Sequence, residues 1–373
     1  MANTIGGETI PRLPEGVDMQ TLCATKGAWP KRVPSRKELL ELYKEHYSFG
    51  SIKEYMFILD AFRKEFGEEK TWQVADEFQE WLGVKFGKAE FVEFGGRYLN
   101  LEVDLFCRPY CYRIDHTETS DERIVFKVLQ CPLADRVKEI GLVDLGVHRC
   151  PAWHETCART QGYRFSMPEF LLDGGDCCEQ IFDKAYEPDT SDAPEVTPRK
   201  PRLPEGVDME TLMQMKGIWP TRQPSQEEFM EVYKDHYSFR IRTEAMLLLR
   251  ALKKGFGEDI WPIVEKVYRE MGKSQAHTDK SDYGTLLNKI ADESTRPYCY
   301  TIDHSEATED RIAYKVLDCP LTNRLKEWGM EKFGLHVTVP WHEGYAEAFG
   351  YRFNMPSYVL GGDDCTEHLW EKA

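Results

Sequence analysis

The sequence predicts an α+β fold that is built twice, as two homologous modules related by pseudo-two-fold symmetry. Long strings recur along the chain: PRLPEGVDM at 11–19 returns at 201–209, and RPYCY at 108–112 returns at 296–300. A repeat of this length is a whole domain rather than a solenoid unit. Within each copy, apolar residues at helical spacing come first and strand-like alternation follows, which favours an N-terminal helical layer followed by an antiparallel sheet with short helices.

The repeat also sets the expected domain boundaries. From residue 108 onward the two copies align at a constant offset of 188 residues, so this half of the module has tolerated no insertion. A stretch rich in Pro, Asp and Thr without an apolar period separates the copies and is typical of a linker. The predicted parts are an N-terminal tail at 1–10, module 1 at 11–183, a linker at 184–200 and module 2 at 201–373.

The first half of each module is predicted to be helical. Ser35 is followed three residues later by Glu38, and Ser225 by Glu228, the spacing of a capping box that satisfies the first amides of a helix. Apolar residues follow both serines at helical spacing. Further helices are expected over 55–66 and 245–256, each closed by a glycine, and from Trp72 and Trp261 onward.

The second half of each module is predicted to contain a sheet. PYCYRID and RIVFKVLQCP carry β-branched and aromatic residues, and the polar HTETSDE between them is expected to form a hairpin turn. A short helix over LADRVKEIG and a second helix over WHETCARTQG are expected next. Two final strands, GYRFSMPEFLL and DCCEQIF, complete the prediction.

Composition excludes several classes of partner. The 48 basic and 64 acidic residues give a net charge of -16, which disfavours nucleic acid and anionic membrane surfaces. No export signal and no long apolar run are visible, so we expect a cytoplasmic protein that acts on a small-molecule substrate. Pairing of the two modules within one chain predicts a functional monomer, because a tandem repeat commonly replaces a homodimer.

The cysteines are expected to be thiols. Their number, eleven, is odd, and no C-x-x-C pair occurs. Comparison of the copies shows that only Cys111, Cys131 and Cys177 have cysteine partners, which are Cys299, Cys319 and Cys365. The remaining five are dispensable to the module.

Two of the retained cysteines precede a proline where a strand passes into a helix. Cys131-Pro132 and Cys319-Pro320 would place a thiol at a helix N-terminus, where the unsatisfied amides lower a thiol pKa. A small buried apolar side chain is the alternative interpretation. The sequence supports both equally.

Two further motifs contain groups capable of chemistry. Trp153-His154-Glu155 returns as Trp341-His342-Glu343, and its imidazole is either a general base or metal ligand, or a histidine bonded into the core. Gly175-Asp176-Cys177 returns as Asp363-Asp364-Cys365. There the aspartate could orient a histidine or bind a cation, and the thiol could be a nucleophile or a ligand.

Together these motifs resemble the L-2-amino-thiazoline-4-carboxylic acid hydrolase family. The resemblance covers roughly 108–182 and 296–370, whereas the helical halves match only loosely. It implies hydrolysis of a cyclic amidine, in which a thiazoline ring opens to a carbamoyl amino acid. The catalytic residues that it implies are Cys131, His154, Asp176 and Cys177, with Cys319, His342, Asp364 and Cys365 in the second copy.

Two mechanisms remain open for such a hydrolase. In one, a thiolate of Cys177 or Cys131 attacks the substrate, His154 transfers the proton and Asp176 orients the imidazole. In the other, a divalent metal, zinc or manganese, activates water. Its ligands would come from His154, Glu155, Asp176 and Cys177, or from His342, Glu343, Asp364 and Cys365.

A non-hydrolytic small-molecule or redox-cofactor binder is the alternative function. The aromatic residues retained in both copies would then line its pocket; they are Tyr110, Tyr112, Trp153, Tyr163 and Phe165. A division of labour, with one catalytic module and one supporting module, is also consistent with the repeat.

Overall fold

The computed structural model describes residues 4–5, 8–9, 11–96, 98–108, 112–193, 195–296 and 300–373. Tyr110, Cys111 and Cys299, which the sequence comparison singled out, lie outside these ranges. The helices, numbered α1 to α14, are Met19–Ala24, Arg36–Tyr47, Ile52–Phe66, Glu68–Glu93, Tyr98–Phe106, Pro132–Glu139, Val143–Thr160, Met209–Gln214, Gln226–Tyr237, Thr243–Phe256, Trp261–Tyr283, Leu286–Ser294, Pro320–Glu327 and Gly334–Phe349. The strands, numbered β1 to β12, are Thr4–Ile5, Glu8–Thr9, Gly27–Ala28, Arg113–Thr119, Arg123–Gln130, Tyr163–Glu169, Cys178–Lys184, Gly217–Ile218, Thr301–Ala307, Arg311–Asp318, Tyr351–Ser357 and Thr366–Lys372.

The fold is α+β with two five-stranded antiparallel sheets, as predicted. Their strand orders are β6-β7-β5-β4-β8 and β11-β12-β10-β9-β3. In both sheets the second strand of a hairpin pairs with the last strand of the same copy, so that β5 lies between β4 and β7. The long helices α7 and α14 contact these sheets at β6 and β11.

Contacts divide the chain into two compact units, each of which takes segments from both sequence copies. Unit 1 consists of Met1–Leu42, Met230–Met246 and Phe256–Ala373. Unit 2 consists of Tyr43–Phe229 and Leu247–Gly255. The predicted module boundaries describe the repeat in the sequence. The division by contacts does not test them, so they stay a prediction.

Each sheet is completed by a short strand from the other sequence copy. In unit 2, β8 pairs with β4, where Gly217 lies opposite His116. The same segment is anchored further on, because the Arg222 amide donates to the carbonyl of Cys107 at 3.2 Å. Unit 1 repeats the arrangement with β3 and β9. Sequence periodicity did not predict this exchange, since a two-residue strand has no pattern to detect.

The two predicted capping boxes are confirmed, whereas the helices expected from Tyr55, Trp72 and Trp153 begin earlier, at Ile52, Glu68 and Val143. The Ser35 amide donates to Glu38 at 2.9 Å and the Glu38 amide donates to the Ser35 hydroxyl at 3.3 Å. Ser225 and Glu228 form the same reciprocal pair at 2.9 and 3.2 Å. Both capping boxes therefore form as the sequence indicates.

The predicted hairpin turn is too long. Strand β4 continues to Thr119, and only residues 120–122 connect it to β5. Glu118 and Thr119 pair with Val125 and Ile124 across the ladder, and Thr117 lies at an irregularity of the same strand, because β-branched residues fit a strand even when they carry a hydroxyl. The last strand of the copy begins at Cys178, so Asp176 and Cys177 precede it.

The long helices α4 and α7 of unit 2 pack closely against each other. Helix α4 presents Gly83 and Gly87 to α7, and a Cβ at these positions would lie 2.8 Å from Thr156 Cβ and 2.9 Å from Thr160 Cβ. The missing side chains allow this close approach. As a result the next turn of α4, which carries Glu90, lies directly against α7.

Candidate functional site

Cys131 and Cys319 occupy the N-cap positions of α6 and α13, where the sequence placed them. Backbone amides of Leu133 and Ala134 hydrogen-bond to Cys131 and lower its pKa, but burial acts more strongly and the net pKa is raised. Burial also raises the pKa of Cys319. Of the two interpretations that the sequence leaves open for these cysteines, a low thiol pKa is contradicted, because desolvation of the thiolate outweighs the effect of the helix terminus.

His154 and His342 point from α7 and α14 toward their sheets. Each ring stacks on a phenylalanine: His154 on Phe165 at 5.3 Å and His342 on Phe353 at 4.9 Å between centroids. Burial lowers the pKa of both imidazoles to about 4, so both rings are neutral at pH 7. The buried Nδ1 of His154 has no hydrogen-bond partner among the described residues, whereas that of His342 lies 2.8 Å from the carbonyl of Thr338.

The glutamates that follow these histidines in the sequence have different surroundings in the two copies. Glu155 is exposed and lines a surface pocket of about 360 Å³ between α7 and β6, which Phe165, Met167 and Asp173 also line. In the second copy Glu343 forms an ion pair with Arg269. The two glutamates of the retained motif thus lie in different electrostatic surroundings.

Cys177 is buried and interacts with a glutamate that the sequence comparison did not select. Its thiol donates to Glu169 at 3.3 Å, and the Asp176 amide donates to the same carboxylate at 2.9 Å. Burial and the adjacent carboxylate raise the pKa of Cys177 to about 11. The Asp176 carboxylate itself is exposed. In the second copy Cys365 lies 3.9 Å from the Ser357 hydroxyl, and Asp364 is exposed.

The described contacts do not join the sequence-predicted residues into one cluster. Within the described ranges, His154 makes no hydrogen bond to Cys131, Asp176 or Cys177. No group of three or more His, Cys, Asp or Glu side chains there is placed to hold a metal ion. The proposed zinc or manganese ligands do not fit a shared ion, since His154 points toward the sheet while Glu155 and Asp176 face outward.

A cluster of ionisable groups that the sequence comparison missed lies inside unit 2. Glu90 on α4 accepts hydrogen bonds from the Cys157 thiol on α7 at 3.5 Å and from the side-chain amide of Gln161, the C-cap residue of that helix, at 3.3 Å. Burial raises the pKa of Glu90 to about 7. A carboxyl group with this pKa exchanges a proton near neutral pH.

A second carboxyl group, which is more deeply buried than the half-buried Glu90, belongs to the same cluster. Glu102 on α5 is only 5 % exposed and is hydrogen-bonded to Tyr98. Burial, with a smaller contribution from the negative charge of Glu90, raises its pKa to about 8. Two carboxyl groups in low dielectric cannot both ionise easily, so the cluster holds a proton at neutral pH.

A stacked histidine lies on the central strand β4 of the same unit. His116 is 1 % exposed and packs flat on Trp219, which belongs to the segment exchanged between copies, at 3.4 Å between ring centroids. Burial lowers the pKa of His116 to about 3, and its Nε2 has no hydrogen-bond partner within the described ranges. His304 and Trp29 repeat this stacking in unit 1 at 3.5 Å.

The sequence comparison did not select Glu90 and Glu102, because neither residue is identical in the two copies. The copy comparison keeps residues that are identical in both halves, and Ile290 stands in the position of Glu102. A local signal does exist: Glu90 follows Gly83 and Gly87 at helical spacing, on the face of α4 that packs against α7. A carboxylate at a close contact between two helices is unusual, and this pattern could have identified Glu90 from the sequence.

Fold and site define an α+β protein whose interior contains ionisable groups able to accept and donate protons. Residues 51–182, about a third of the chain, match the family described as L-2-amino-thiazoline-4-carboxylic acid hydrolase. The resemblance suggested by the sequence motifs is thereby confirmed for this stretch, which also includes part of the helical half. Comparison with curated proteins and with solved structures gave no match. No described helix is long and apolar enough to cross a membrane.

Proposed function

We propose that the chain hydrolyses a C–N bond in a small cyclic amidine of the thiazoline-carboxylate type. The observation that carries this proposal is the family match over 51–182, a stretch that lies within unit 2 and contains Glu90, Glu102 and His154. In the reaction, water adds its oxygen to the amidine carbon and two protons reach the ring nitrogen. The ring opens, and the product has a carbamoyl group and a free amine.

The protonation states of the thiols favour water as the nucleophile. With its pKa raised to about 11, Cys177 is ionised in only about one molecule in ten thousand at pH 7. Cys131 is also held as a thiol by burial. The route through Cys177 or Cys131, with His154 transferring the proton and Asp176 orienting it, therefore requires activation of the thiol by the bound substrate.

The test of this function is direct. Purified full-length protein is incubated with 2-amino-thiazoline-4-carboxylate, and the carbamoyl product and the new primary amine are quantified together. We expect both to appear in equal amounts and at an unchanged rate after dialysis against a chelator. Failure to consume this substrate or related cyclic amidines would refute the proposal, and loss of turnover that added zinc or manganese restores would favour the metal route.

A further inference from the structure

We propose that Glu90 and Glu102 are the acid–base pair of this hydrolysis, and that the second sequence copy has lost the equivalent pair. The proposal rests on the proposed function and names the residues and the unit that perform it. It also predicts that only unit 2 is catalytic.

The arrangement around Glu90 indicates a site for a polar ligand. Gln161 is 2 % exposed, and its amide nitrogen donates both to Glu90 and to Cys157. Its amide oxygen is buried and has no hydrogen-bond partner among the described residues. A buried acceptor without a donor is costly, so a ligand or water that donates a hydrogen bond is expected here.

The charges around the pair favour a shared proton over two carboxylates. Burial is the largest influence on both glutamates, while Arg108 lowers the pKa of Glu90 and the neighbouring Glu93 raises it. Arg108 is itself committed to the buried Asp104, at 2.8 Å. The pair therefore has no cation of its own in the described structure, and a cationic or hydrogen-bond-donating amidine would complement it.

The second copy shows the same position in a neutralised form. Asp279 on α11 faces α14 as Glu90 faces α7, and it accepts a hydrogen bond from Tyr345 at 2.8 Å. Lys289 lies 3.4 Å from the same carboxylate oxygen, and Gln275 donates to the other oxygen at 2.9 Å. The position of Glu102 is occupied by Ile290. The carboxylate of the second copy is therefore paired with a lysine, and the second carboxyl group of the pair is replaced by an aliphatic side chain.

The two glutamates provide a balanced route through the reaction. The carboxylate of Glu90 takes a proton from water as the oxygen bonds to the amidine carbon, and protonated Glu102 donates to the ring nitrogen. The new hydroxyl group then returns its proton to Glu102, Glu90 passes its proton to the nitrogen, and the C–N bond breaks. Both glutamates regain their starting states, and one water molecule has been consumed.

The experiment compares matched substitutions in the two copies of the full-length protein. Glu90→Gln and Glu102→Gln should each reduce kcat at least about 100-fold, because each removes one proton transfer. The controls at the equivalent positions, Asp279→Asn and the conservative Ile290→Val, should leave kcat within about twofold of wild type. Circular dichroism and thermal melting of every variant show whether it is folded.

An independent measurement reports the proton itself. Infrared spectra of the substrate-free wild-type protein near pH 6 should contain the C=O stretch of a protonated carboxyl group. This band should be weaker in the spectrum of each folded glutamate variant. A folded Glu102→Gln variant that retains more than half of wild-type kcat would overturn the inference, as would an Asp279→Asn loss equal to that of Glu90→Gln. Wild-type protein that hydrolyses no cyclic amidine would instead overturn the proposed function, so the two failures are distinguishable.

Discussion

Replacing Glu102 by glutamine should change how the stability of the protein depends on pH. Burial raises the pKa of Glu102 from 4.5 to about 8, so between these values the folded protein holds a proton that the unfolded chain has released. The contribution of this group to stability is therefore complete below about pH 4.5 and is lost as pH rises through about 8. The stability that Glu102 contributes therefore falls with increasing pH, whereas the contribution of a salt-bridged acid rises.

The size of the effect follows from the pKa change. One pKa unit corresponds to about 1.4 kcal/mol, so the loss between pH 5 and pH 9 is on the order of 3 to 5 kcal/mol for this carboxyl group. Glutamine cannot ionise, and the variant should escape the loss. Relative to wild type, Glu102→Gln should therefore become progressively more stable from pH 5 to pH 9.

Urea denaturation at unit pH intervals measures this difference. Glu187→Gln is the matched control, because Glu187 is exposed in the same unit and should give a curve parallel to that of wild type. The reasoning fails if the free energies of unfolding of Glu102→Gln and wild type keep a constant difference across the range.

Other consequences can be checked by single substitutions. Gly344→Ala should destabilise unit 1 by more than about 3 kcal/mol, because the added Cβ would overlap the carbonyl oxygen of Arg269 on the facing helix. The control Gly361→Ala should keep the wild-type melting temperature, because no heavy atom lies within 4 Å of its added Cβ. Ser35→Ala removes a capping box and should cost about 1 kcal/mol in urea denaturation. Iodoacetamide at pH 7 should leave Cys131 unmodified in folded protein by mass spectrometry, since burial raises its pKa; rapid labelling would contradict that protection.

The sequence predicts those parts of the structure that depend on residues close together along the chain. The reciprocal pair of Ser35 and Glu38 forms because both partners lie within one helical turn. Strand alternation and capping signals are local in the same way. The pairing of Gly217 with His116 joins residues about a hundred positions apart and leaves no periodic signal.

The candidate site shows a different limit of sequence reasoning. The position of Cys131 at a helix start was predictable, but the sign of its pKa change depends on how much protein surrounds it, which only the fold determines. Retention in both copies directed attention to Cys177 and His154. The same criterion did not select Glu90 and Glu102, because a comparison by identity passes over a glutamate that the other copy replaces with aspartate or isoleucine.

Loss of the acid pair from the second copy raises the question of why that copy persists, and the exchanged segments give a physical answer. Unit 2 depends on residues of the second copy, since Trp219 covers His116 and Arg222 donates to the carbonyl of Cys107. A chain cut after residue 200 would lack both contacts and expose the ring of His116. We expect it to be unfolded or aggregated, with reduced circular dichroism and no cooperative melt. A chain cut there that melts cooperatively and hydrolyses the substrate would show that the first copy is self-sufficient, and the structural dependence argued from Trp219 would then be wrong.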